Sequence, residues 1–324
     1  MTLADHAKTF GPDHKVARII EMLSQKNGIL DDMVFREGNL PTGHRTTLRN
    51  GLPEVFWKNY NMGVPVSKST KIQVDEKCGM LEAWSEVDED LANLEADLNG
   101  FRLAEARSFI QAMGIEMAST VFYGNSALDP EQFTGLTVRY SDPTAANGRN
   151  IINGNGSTAG AQTSVWVVTH GEDTFHGIFP KGSQAGLVHK NHGLKTIDSA
   201  GEGLGTRRMT VYQDQFKWHS GITLRDWRYC VRICNLDTTG TTMASLPELL
   251  IQANHALEDL NVGKTVIYMN RTVIKNLDLD RYAKAGLNGM TYKEIDGFLI
   301  PHFRGIPIKT CDAILNTEPV VTGF

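Results

Sequence analysis

Apolar positions along this chain follow two clear rhythms, separated by stretches with neither. The first rhythm is helical. Val16, Ile19, Ile20 and Leu23 fall at i, i+3, i+4 and i+7. They stand behind Asp13, a capping residue, and ahead of Gly28, a stop signal. Residues 85–123 form the strongest helical stretch. Ser85, Glu86, Asp88, Glu89 and Asp90 give it an acidic start that suits the helix dipole. Val87, Leu91, Leu94 and Leu98 continue it, and Asn99-Gly100 predicts a break or kink. From Phe101 to Tyr123 the stripe Ala106, Ile110, Met113, Met117 and Val121 runs for roughly 35 Å. Further on, Ser245-Leu246-Pro247-Glu248 reads as a capping box for a helix over 245–260, and Thr272 to Leu279 as a short helix.

The second rhythm has a period of two. Ser164 to Thr169 predicts a strand, as does the alternation of Tyr212, Asp214, Phe216 and Trp218 with Val211, Gln213 and Gln215. Trp227, Tyr229, Val231 and Ile233 share one face of another, with Arg228, Cys230, Arg232 and Cys234 opposite. Thr265 to Met269 reads as a buried strand, and Gly305-Ile306-Pro307-Ile308 opens a closing strand that runs toward Ile314.

Residues 50–84 fit neither pattern cleanly. Val55, Phe56, Trp57, Tyr60, Val64, Val66, Ile72 and Val74 are interleaved with Lys58, Lys68, Lys71, Asp75, Glu76 and Lys77. This predicts a long two-stranded excursion with polar faces. Such a ribbon is marginal in water by itself and needs a partner surface, as does the apolar-poor N-terminal arm. Phe56, Trp57, Lys58 and Tyr60 are therefore the candidate contacts with a neighbouring subunit.

Composition narrows the function classes. In 324 residues, 41% hydrophobic and 21% charged positions exclude global disorder. With 32 basic against 37 acidic side chains the net charge is −5, which argues against a surface built to neutralise nucleic-acid phosphates. No apolar run approaches the ~20 residues of a membrane helix, the start lacks the apolar core of a signal peptide, and four cysteines read as reduced thiols.

Candidate chemistry is sparse. His170, Glu172, Asp173, His176, His189 and His192 form the richest polar cluster, and a metal-dependent hydrolase using the His170–His192 set is the enzymatic alternative. Their spacing matches no established metalloenzyme motif. Gly201-Glu202-Gly203-Leu204-Gly205 is followed by a strand pattern and not by the helix a phosphate cradle requires. Asn155-Gly156-Ser157-Thr158 lacks a P-loop ending, no nucleophile elbow is present, and Cys230 and Cys234 have no second ligand pair. An arm, a ribbon, a long helix and a mixed body without a converging catalytic set point to an assembly protein with no enzymatic activity and no cofactor or metal.

The order of these parts resembles that of the major capsid proteins of tailed double-stranded DNA bacteriophages, with the Hong Kong 97-type fold. The likeness rests on the arm and ribbon, on 85–123 with "Phe122-Tyr123-Gly124-Asn125" and "Phe133-Thr134-Gly135-Leu136" after it, on 246–277, and on 305–315. A strand-rich segment ending at 221–237 precedes the helix at 246, which is similar to the permuted order of certain short-tailed phages. The resemblance implies an α+β fold divided into an N-terminal arm (1–47), an extended loop (48–84), a peripheral domain with a spine helix (85–145 and 216–244) and an axial domain (146–215 and 245–324). It implies self-assembly into hexamers and pentamers of an icosahedral head enclosing dsDNA. It also implies portal, scaffolding and cement proteins as further partners, packaged DNA on the inner face, no membrane, and assembly in the host cytoplasm. An encapsulin-like compartment shell is the alternative that shares the fold.

Overall fold

Nine consecutive residues, Gln162–His170, are buried on both faces, and the rest of the body is arranged around them. The structure, a computed structural model, describes residues 25–94, 98–200, 206–238, 245–260, 262–283, 289–295 and 298–324. The arm helix expected behind Asp13 and the glycine run 201–205 lie outside the described residues. In chain order the first elements are α1 (Gly28–Asp32), β1 (Phe35–Glu37), β2 (Gly43–Gly51), β3 (Thr70–Lys77), β4 (Gly79–Asp88), α2 (Glu89–Ala92), α3 (Leu98–Tyr123) and α4 (Leu136–Arg139). The central strands are β5 (Ile151–Asn153), β6 (Gln162–His170), β7 (Phe175–Phe179), β8 (Leu187–Ala200), β9 (Thr206–Leu224) and β10 (Cys230–Asp237). The chain closes with α5 (Leu246–Ala256), β11 (Lys264–Met269), α6 (Arg271–Ala283), β12 (Met290–Ile295), β13 (Phe298–Phe303) and β14 (Ile306–Thr310).

The two faces of β6 serve two cores. Trp166 and Val168 pack with Cys230, Cys234 and Tyr268 against Met117, Val121 and Phe122 of α3 and Leu136 of α4. Val165 and Val167 pack with Val231, Ile233, Ile267 and Met269 against Leu249, Leu250 and Ala253 of α5 and Val273 and Leu277 of α6. Each such side chain taken from water contributes about 1.5–3 kcal/mol. The result is three layers, with helices on both faces of a mixed sheet. In that sheet β6 runs antiparallel to β10 and β11, and β11 runs parallel to β14. The expected contrast between an apolar and a polar face on β10 is absent, because Arg232 and both cysteines are as buried as Val231 and Ile233.

A second part of the sheet sets β9 between β4 and β8. Helix α3 lies across it. Arg102 reaches Asp214 at 2.7 Å and sits over the Tyr212 ring, and Phe109 stacks on Phe216.

Three sequence expectations change here. Residues 85–88 are strand, because 79–88 alternates inward Leu81, Ser85 and Val87 with outward Met80, Glu82, Trp84 and Glu86, and the ladder with β9 uses all ten positions. The acidic run then starts only the short α2, where the Asp88 carboxylate accepts from the backbone of Asp90 and Leu91. Asn99-Gly100 does not break the spine, since it falls in the first turn of α3. The capping box at Ser245 does not form, because Ser245 itself takes helical dihedrals and makes no side-chain capping bond.

Candidate subunit interface

The ribbon is built from β2 and β3, which pair antiparallel from Gly43↔Lys77 to Gly51↔Thr70. Pairing therefore begins at Gly43 and leaves 52–69 as an unpaired tip. Pro53 and Pro65 supply the reason: neither has an N–H to extend the ladder. The tip holds itself through a turn in which the Met62 amide donates to the Asn59 carbonyl, with Asn61 in the left-handed region at φ 62°, and through the Ser67 hydroxyl donating to the Glu54 carbonyl. Every residue from 52 to 68 is exposed, including Val55, Phe56, Tyr60, Val66 and a fully solvated Trp57. The tip thus displays an unusual density of exposed large apolar side chains for a segment in water. All four expected contact residues, Phe56, Trp57, Lys58 and Tyr60, lie on it.

The root of the ribbon is tied to the body. Glu76 accepts two hydrogen bonds from Arg139 at 2.7 and 2.6 Å, with both side chains largely buried. Arg45 and Asp75, exposed cross-strand partners, pair at 2.6 Å, and each holds the other in its charged form. Gly43 is required where it stands, since a Cβ there would lie 1.9 Å from the Glu76 carbonyl oxygen.

The histidine cluster does not converge. His170 is buried with Nε2 2.7 Å from the Tyr268 hydroxyl, whereas Glu172 pairs with Arg36 and Asp173 with Arg225. His176 is buried beside Arg225, His189 meets Asp214, and His192 meets Gln215 and stacks on Trp84. Burial pushes His170 and His176 down to about 4. Among the described residues no group of three or more His, Cys, Asp or Glu is placed to hold a metal ion. Cys230, Cys234 and Cys311 are buried free thiols, pushed up to about 12, 11 and 12 by desolvation, which disfavours the thiolate. No described helix is long and apolar enough to cross a membrane.

Two buried polar nodes escaped the sequence reading. In one, Glu318 receives Arg232, Ser164 and Tyr123 together. In the other, Asp32 at the end of α1 accepts from Lys264, Lys309 and Tyr268. Burial alone would raise the Asp32 pKa, but the lysine and tyrosine hydrogen bonds outweigh it and hold the carboxyl below its usual range. These nodes fasten the C-terminal segment and the described end of the arm to the body. They are structural ties with no bond to make or break.

Comparison with known proteins supplies the family. Residues 11–322 match the family model "Major capsid protein GP7". The solved capsid structure of bacteriophage Epsilon15 is 30% identical, with a TM-score of 0.78 over 100% of this chain and 98% of that one. The capsid of bacteriophage JBD30 is 8% identical with a TM-score of 0.47, covering 97% of this chain and 99% of that one. The encapsulin of Synechococcus elongatus is 8% identical with a TM-score of 0.45, over 74% of this chain and 97% of that one. No curated protein matches. The likeness to the Epsilon15 capsid over the whole chain makes the α+β body a phage capsid fold of Hong Kong 97 type. The chain belongs to the major capsid protein GP7 family, and it is a structural coat protein of the bacteriophage virion, assembled from many copies of itself, and not an enzyme.

Proposed function

We propose that this coat protein closes into hexamers and pentamers of an icosahedral head around dsDNA, and that the tip at 52–69 is the element that lies on a neighbouring subunit. The observation that carries this reading is the exposed cluster Phe56, Trp57 and Tyr60 beside Lys58, displayed on a ribbon tip that the described residues of its own chain leave uncovered. Aromatic side chains flanked by a cation are the residue types that anchor interfaces. In this scheme residues 1–47 act as an arm that clasps across capsomers. Residues 48–84 act as the extended loop, 85–145 with 216–244 as the peripheral domain, and 146–215 with 245–324 as the axial domain. A shell whose subunits each carry a net charge of −5 need not grip the packaged DNA on its inner face. Portal, scaffolding and cement proteins would join it during assembly in the host cytoplasm.

The test is particle formation by the full chain. Trp57→Ala with Tyr60→Ala should abolish particles seen by electron microscopy while leaving the thermal unfolding of the unassembled subunit unchanged, because these side chains bury nothing in the monomer. Particle yield equal to that of the parent would overturn the reading.

A further inference from the structure

A groove of about 150 Å³ opens at the root of the ribbon, between the start of β4 and the second half of α3. Leu81, Met117 and Phe133 form its apolar floor, and the exposed Met80 side chain forms one lip. Glu116 and Glu131, both exposed, stand on the rim, and no cation lines the groove. The segment 131–133 approaches β4 closely because residue 79 is glycine; a Cβ there would sit 3.0 Å from the Glu131 carbonyl oxygen. A cavity of this size accepts about one aromatic ring.

We infer that this groove receives the ribbon tip of a second copy of the chain, with Trp57 seated over Leu81, Met117 and Phe133 and Lys58 held by Glu116 and Glu131. The inference rests on the proposed role of the ribbon and names where its tip lands. Three observations select the occupant. The tip is the most apolar exposed segment of the described chain, with an aromatic residue next to a lysine, and the groove pairs an apolar floor with two carboxylates as its only charged groups. Within 52–69 the charges are Lys58 and Lys68 against Glu54, so the tip is cationic where the rim is anionic. The tip of the same copy cannot reach the groove. Gly79, which lines it, lies two residues beyond β3, and the eight residues of β3 hold the tip about 25 Å away. Because 52–68 is solvated throughout, the tip does not double back onto its own body. A second copy presents the same groove to the first, so the contact is head-to-tail and repeats from copy to copy.

A charge swap in the full chain tests the assignment. Lys58→Glu, and separately Glu116→Lys with Glu131→Lys, should each lower particle yield about tenfold, more at low than at high ionic strength. The combined variant should recover to within about threefold of the parent. In parallel, Lys58→Cys with Glu131→Cys should give oxidant-dependent ladders of linked subunits, absent from each single variant. Circular dichroism of the unassembled variants checks folding, and the cysteine pair covers the case in which a charge-reversed chain fails to fold. No recovery in the charge swap together with no ladder overturns the groove. If Trp57→Ala with Tyr60→Ala still blocks assembly under that outcome, the ribbon contact stands and only its landing site is wrong.

Discussion

Arg232 and Glu318 meet at 2.8 Å with each side chain only 2% exposed, 86 residues apart in sequence. The guanidinium also donates to the Tyr140 carbonyl and to the Ser164 hydroxyl and lies over the Trp166 ring. Glu318 in turn accepts from Tyr123 at the end of the spine helix, and that tyrosine oxygen accepts the Leu315 amide. One carboxylate therefore ties the C-terminal segment to the central sheet and to the spine. Breaking a buried pair from one side leaves a bare charge in the interior and costs about 3–5 kcal/mol. Glu318→Leu should lower the unfolding free energy of the unassembled subunit by that amount, read in urea as a lower midpoint at unchanged slope. Arg232→Met added to it should return part of the loss, because the orphaned charge is then gone. A double variant no more stable than Glu318→Leu would mean that the remaining hydrogen bonds, and not the ion pair, carry the node.

Stability should fall on mild acidification. His170 and His176 are pushed down to about 4 by burial, so between about pH 6.5 and 4 the unfolded chain binds protons that the folded chain does not. Each group then lowers stability by up to about 1.4 kcal/mol per pH unit as pH drops through that window. The Tyr268 hydroxyl spends its proton on Asp32, so His170 donates from Nε2 and leaves its buried Nδ1 bare, which is the neutral tautomer. His176 also has a buried, unpartnered Nδ1, and Arg225, His44 and Arg36 around it oppose a further positive charge. Asp32 acts in the opposite range. Its depressed pKa keeps its contribution intact above the ordinary carboxylate range and forfeits it only at lower pH. Urea titrations at pH 7 and pH 5 should show the loss, and His176→Gln should flatten it. An unchanged slope in that variant would assign the effect elsewhere.

Glu76 controls the ribbon root. Replacing it with alanine leaves the largely buried Arg139 without its bidentate partner and should cost about 3 kcal/mol locally. Amides of β2 and β3 should then exchange with solvent about a hundredfold faster while those of β6 and β10 hold their protection. Uniform acceleration throughout the chain would show that the pair stabilises the whole fold and not the ribbon.

The strands at 164–169 and 265–269 were legible as short β-branched apolar runs buried on both faces, and the spine to Tyr123 as a long helical repeat. Residues 79–88 were not, since Glu86 and Asp88 suggested a helix start while the ladder to β9, more than 120 positions away, decided the conformation. The ribbon was legible as an excursion, although its strands lie outside the aromatic residues that drew attention to it; Pro53 and Pro65 were the available signal. Asp32 was invisible because its partners stand 232, 236 and 277 positions downstream. Arg232 read as the polar face of a strand, and only the third layer of the fold turns that face into an interior.

Cys78 is the single residue between β3 and β4. A pull on the tip at 52–69 thus reaches β4 with no slack chain to absorb it. Beyond Cys78 the load meets ten consecutive rungs against β9, aligned along the strand so that they must slide together and cannot peel one at a time. Tension within a shell of such subunits would therefore be borne by backbone in shear, passed from copy to copy through a joint one amino acid long.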